Sequence, residues 1–126
     1  METWRDLGSK NRTSANQLFA AGQWRSCASR AYYALYAELT HQLLQAKISM
    51  PTGRGNPKHA NLSMLVGNNL IAVRPQSRWR LSGLVKKLYD LRIMADYLPN
   101  VDIAEPEARI AMGLMDQAFL CLKGKP

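Results

Sequence analysis

Arg92 and Asp96 stand four residues apart, with Tyr97 directly after. On a helix this spacing puts guanidinium and carboxylate on one face, where they pair. Two readings follow. In one, the pair is a local brace for a helix bundle or a dimer surface. In the other, Asp96 orients Arg92 toward a scissile phosphate, a task that suits a planar, permanently charged fork. RNA cleavage without a metal would also need a base near the 2′-hydroxyl and an acid at the leaving oxygen. Tyr97 could donate a proton, but a phenol of pKa near 10 is a weak base at neutral pH. It lies about 140° around the helix from Arg92, so the two are expected to meet only across a dimer interface.

Other candidate contacts are scattered. Arg30 precedes the tyrosine cluster Tyr32, Tyr33 and Tyr36, and reads either as an exposed arginine or as a cation converging with Arg92. Three tyrosines so close together cannot all face one core, and Tyr33 is the candidate to stack on a base. His59, Lys58 and Arg54 lie in or beside a glycine- and proline-rich stretch and could touch phosphate. Arg78, Arg80, Lys86 and Lys87, with Trp79 among them, form a basic stripe expected to face mostly outward, either as a binding surface or as a solvated face. No carboxylate pair has hydrolase spacing. No His/Cys/Asp cluster has metal-ligand spacing, and no cofactor motif is present.

The charge distribution supports a polyanion partner. The net charge is +8, and no Asp or Glu occurs between Leu39 and Tyr89. A one-signed region of that length attracts nucleic-acid backbone, though it also serves solubility. The 126 residues, 47% of them hydrophobic, suit one globular domain. No apolar run is long enough to span a membrane. The acidic, non-hydrophobic start lacks a secretory leader, so a cytoplasmic location is expected. Cys27 and Cys121 then read as buried thiols.

The elements that must position these residues are helical throughout. The first ten residues read as a ragged leader, followed by a short helix capped by Thr13 or Ser14 and running to Ala20. Tyr32, Tyr36, Leu39, Leu43 and Ala46 make an apolar stripe over a helix from Trp24 to Ala46. Pro51, Gly53, Gly55 and Pro57 break Lys47–Pro57 into a loop. Lys58–Val73 reads as a medium helix stopped by Pro75. Leu81, Leu84, Leu88, Leu91, Ala95 and Leu98 define a long helix over Ser77–Leu98, ended by Pro99. A last helix opens at Glu105-Pro106-Glu107, carries Ile110, Leu114, Ala118 and Cys121, and ends at Gly124. Nothing alternates at period two. An all-α antiparallel bundle of four to five helices is expected.

Ser29-Arg30-Ala31-Tyr32-Tyr33-Ala34-Leu35-Tyr36 and Leu88-Tyr89-Asp90-Leu91-Arg92-Ile93-Met94-Ala95-Asp96-Tyr97 resemble the signatures of HEPN domains. The Ala21-Gly22-Gln23-Trp24 turn and the apolar C-terminal helix also fit. The similarity spans about residues 14–122 of a single domain and looks closest to small stand-alone prokaryotic members. It implies a helical bundle that forms a homodimer. It also implies a role in toxin–antitoxin or defence systems, with RNA, a cognate antitoxin or a minimal nucleotidyltransferase as partner. Active members are metal-independent endoribonucleases with an Arg, a polar residue, three to five further residues and a His. Here Ile93 follows Arg92, and Asp96 or Tyr97 stands where the His would fall. Three functions therefore fit: RNA or partner binding, dimeric ribonuclease activity, or regulatory docking on an antitoxin or nucleotidyltransferase.

Overall fold

A computed structural model describes residues 1–48 and 55–123. Five α-helices carry the fold: α1 (Trp4–Ala20), α2 (Trp24–Gln45), α3 (Leu62–Asn69), α4 (Pro75–Tyr97) and α5 (Glu105–Leu122). A 3-10 turn, His59–Asn61, leads into α3. There is no strand among the described residues.

The helix α1 starts ten residues before the expected cap. Thr3 Oγ1 accepts the Asp6 amide at 3.1 Å, and the Asp6 carboxylate accepts the Thr3 amide at 2.9 Å. This reciprocal box satisfies free first-turn donors, so the segment read as a ragged leader is helix. Gly8 in this segment faces α2. A Cβ there would sit 3.1 Å from the Ala34 carbonyl oxygen and 3.3 Å from the Glu38 nitrogen. The missing side chain lets the two helices approach closely. Arg5 Nε and Nη2 donate to the two carboxylate oxygens of the buried Glu38, at 3.3 and 3.1 Å.

Gly22 ends α1 in the left-handed conformation (φ 73°). The amides of Gly22 and Gln23 bond the carbonyls of Phe19 and Leu18, and the chain reverses into α2. Contacts between helix ends fix the remaining directions. Tyr33 and Ser29 of α2 meet Arg92 and Asp96 of α4. Arg80 of α4 meets Gln117 of α5, and Arg12 of α1 meets Asp116 of α5. Successive long helices thus run antiparallel, as the sequence pattern implies, with α3 laid against α4 through Ser63 and Ser82.

Small residues let these helices pack tightly. Ala28, Ala31 and Ala34 of α2 are fully buried beside Leu35, Leu39 and Leu43. Leu81, Val85 and Leu88 face them from α4. On α5 the buried line is Ala108, Ala111, Met115, Ala118 and Cys121, whereas Ile110 is exposed. Of the expected stripe, Ala118 and Cys121 are buried and Leu114 is partly buried, but its N-terminal part runs through Ala108 and Ala111 rather than Ile110.

Two further boundaries differ from expectation. The Lys58–Val73 helix is a 3-10 turn followed by an eight-residue helix ending at Asn69. Pro75 does not stop α3, which has already ended at Asn69; it opens α4 at its first position, where proline's missing donor costs nothing. No described helix is long and apolar enough to cross a membrane.

Candidate functional site

Arg92 is 7% exposed, and its guanidinium meets side chains of its own helix and of α2. Nε donates to Asp96 Oδ2 at 2.9 Å. Nη2 donates to the Tyr33 hydroxyl at 2.5 Å and to the Tyr97 hydroxyl at 3.3 Å. The guanidinium carbon lies 5.1 Å from the Tyr33 ring centre, 5.2 Å from that of Tyr97 and 5.8 Å from that of Tyr32. Burial works against its charge, but the phenolic oxygens of Tyr33 and Tyr97 and the Asp96 carboxylate together outweigh it and raise its pKa. Asp96 also accepts the Ser29 hydroxyl at 3.2 Å.

Arg92 and Tyr97 therefore meet within one chain, where a dimer was expected to be required. A long arginine stem and a tyrosine ring leaning back toward the helix N-terminus close the angular gap that separates their Cα atoms.

The end of α4 that carries Asp96 and Tyr97 is held by Arg25. Its Nη1 donates to the carbonyls of Met94, Ala95 and Leu98 at 3.0–3.3 Å. Its Nη2 donates to those of Pro99 and Val101. The Met94 and Leu98 carbonyls also accept the amides of Leu98 and Val101, and a cation suits the negative end of the helix. Sequence reasoning missed Arg25 and Ser29. The available signal was Arg25, Ser29 and Tyr33 at steps of four along α2, a polar line beside the apolar stripe.

His59 arrives from outside both long helices. Its Nδ1 is hydrogen-bonded to the buried Tyr32 hydroxyl at 2.8 Å. Its ring lies over Tyr36, with centres 4.3 Å apart and planes 30° apart, and stands nearly perpendicular to Tyr33 at 5.7 Å. Burial pushes the Tyr32 hydroxyl far above the ordinary phenol value, so it stays protonated. Tyr36 in turn donates to the Pro57 carbonyl and accepts from Asn56 Nδ2, at 2.7 and 2.6 Å. The chain before the 3-10 turn is thereby tied to α2, which brings His59 to the same tyrosines that cage Arg92.

Arg30 is exposed beside this cluster. It donates to Asn11 Oδ1 at 3.2 Å, with its guanidinium carbon 5.8 Å from the Tyr33 ring centre. The basic stripe divides. Arg78 is half-buried, and its Nη1 reaches the carbonyls of Leu70 and Val73 behind α3, so it is not an outward cation as expected. The chain after α3 turns back so that these carbonyls come within reach of Arg78, and that of Leu70 also accepts the Val73 amide. Arg80 contacts Gln117, and Lys86 pairs with Asp90 at 3.0 Å. Lys58 and Lys87 are exposed. Arg54 lies outside the described residues. The sequence-derived candidates thus split into one compact group, Arg92, Asp96, Tyr97, Tyr33, Arg30 and His59, and a separate α4 surface.

Among the described residues, no group of three His, Cys, Asp or Glu could hold a metal ion. Both cysteines are buried free thiols. Among curated proteins and solved structures no significant match is found. A family model for the HEPN domain does match, over residues 1–124, the span that contains all five helices and the arginine–tyrosine cluster. The chain belongs to the HEPN domain family.

Proposed function

We propose that this protein binds RNA as a homodimer within a prokaryotic toxin–antitoxin or defence system in the cytoplasm, and that it does so without cutting the strand. The observation that carries this reading is the state of Arg92. A catalytic arginine must offer donors to a phosphate, whereas this one is buried and engaged with Asp96, Tyr33 and Tyr97. No histidine follows it at the family spacing. Arg92 then shapes the surface that holds RNA. The acid-free central stretch supplies the cations, among them the exposed Lys58 and Lys87. The cognate antitoxin or minimal nucleotidyltransferase expected of such systems would act as a regulatory partner.

Titrating labelled RNA at two salt concentrations tests this reading. Affinity should fall steeply as salt rises, because phosphate contacts release counterions. Weak binding that ignores salt would reject it. Sedimentation at several concentrations tests the homodimer.

One observation favours a second reading, metal-independent ribonuclease activity. His59 touches Tyr32 and Tyr33, the rings that also cage Arg92. A histidine from another element would then supply the acid–base group that the motif lacks. Total RNA incubated with the protein in EDTA decides between the two. Cleavage lost in both Arg92→Ala and His59→Ala supports the enzyme, and intact RNA in every sample supports binding alone.

A further inference from the structure

Two hollows on the surface share Arg30. The first, about 370 Å³, is walled by the rings of Trp4, Tyr33, Tyr36 and His59, with Asn11 and Asn56 among its polar groups. The second, about 260 Å³, is polar, and Arg25, Ser26, Ser29 and Asp96 line it. Arg30 lines both. We infer that the two hollows form one track for single-stranded RNA, with an unstacked base in the aromatic hollow, its phosphate in the serine hollow, and Arg30 at the junction.

The chemistry of each half fits its part of a nucleotide. A flat base gains from aromatic walls, and side-chain amides can meet its edge. Arg30 is placed to serve both halves, since its guanidinium lies beside the Tyr33 ring while its stem leaves the exposed face of α2. Its planar fork can take two phosphate oxygens. Ser26 is exposed and adds a hydroxyl donor. The Asp96 carboxylate in the second hollow is balanced by Arg92 at 2.9 Å and by the Ser29 hydroxyl. Arg25, committed to the α4 carbonyls, contributes its positive field rather than free donors. A base already paired and stacked in a duplex cannot enter the first hollow, so the track selects single strands.

This inference rests on the RNA-binding reading, and the test separates the two. The full chain is titrated with labelled hexaadenylate, with a hexamer of the same ribose-phosphate backbone lacking all bases, and with a duplex of equal length. Because stacking is worth about 1–3 kcal/mol per base, hexaadenylate should bind at least about fivefold tighter than either control. Arg30→Ala should remove most of that preference, whereas Lys87→Ala should weaken the base-containing and base-free strands by the same factor. Titration with adenosine monophosphate should shift the Trp4 indole N–H signal in an NMR spectrum. Equal binding of the strands with and without bases overturns the track while leaving RNA binding intact. If no strand binds, the RNA-binding reading falls. The Trp4 signal then decides the hollow alone: a shift upholds base recognition, and an unmoved signal overturns it.

Discussion

Replacing Arg92 by alanine should cost stability as well as any function. Removing one partner of a buried, hydrogen-bonded charge pair costs about 3–5 kcal/mol when the other is left stranded. Asp96 is not wholly stranded, because its side chain is 26% exposed and water can replace part of what it loses. Tyr97 is 61% exposed, so its hydroxyl loses almost nothing. Tyr33 loses a charge-assisted hydrogen bond from a half-buried position. The net expectation is about 3 kcal/mol. With about 2.1 cal/mol/K of unfolding entropy per residue over the 126 residues, the melting point should drop by about 10 °C. Urea unfolding should show the midpoint falling at constant slope. Arg92→Met keeps most of the stem's volume and isolates the charge. Combined with Asp96→Asn, it should be less destabilising than the two single changes summed, by about 1 kcal/mol or more. A loss under about 0.5 kcal/mol for Arg92→Ala, with the slope unchanged, would refute the view that this network braces α2 against α4. RNA assays with this variant must therefore be read beside its melting curve.

Lys47 caps α2 at φ 60°, a left-handed conformation that costs a side-chain-bearing residue about 1 kcal/mol, so Lys47→Gly should raise stability by about 0.5–1 kcal/mol in urea unfolding. Gly8→Leu should do the reverse, costing about 2 kcal/mol or more, because the new side chain meets the α2 backbone at Ala34 and Glu38 rather than a flexible group. Burial pushes the Cys27 thiol from 9.0 up to about 11. Its contribution to stability is full below pH 9 and is lost as pH rises toward 11, because the unfolded thiol ionises first. Unfolding midpoints at pH 8 and pH 10 should show this fall, and it should be smaller in Cys27→Ala. Cys27 and Cys121 should both resist a thiol reagent in the native protein and react at once in urea, and rapid native labelling would contradict their burial.

The helices of this protein could be read because their signals are local. The leucine line of α4, the proline at the start of α5 and the alanine-rich α2 each depend on neighbours within a turn or two. The signals that misled were those with two meanings. The first ten residues read as a ragged leader when seen alone, and as helix once Gly8 packs against α2. Pro75 reads as the stop of one helix but begins the next, α3 having already ended at Asn69. Arg78 looks like an outward cation until the carbonyls of Leu70 and Val73 behind α3 are found next to it.

The sequence by itself determined the helical class, the family signatures, the positive central stretch and the absence of a histidine behind Arg92. Only the tertiary structure decided what Arg92 does with its charge. Asp96 and Tyr97 come from its own helix, but Tyr33, Ser29 and Arg25 come from α2, and His59 comes from the turn before α3. A hydrogen bond between residues 59 positions apart leaves no periodic trace along the chain. It exists because two amphipathic helices bury their apolar stripes against each other, and the polar side chains at the edges of those stripes must then find partners across the seam.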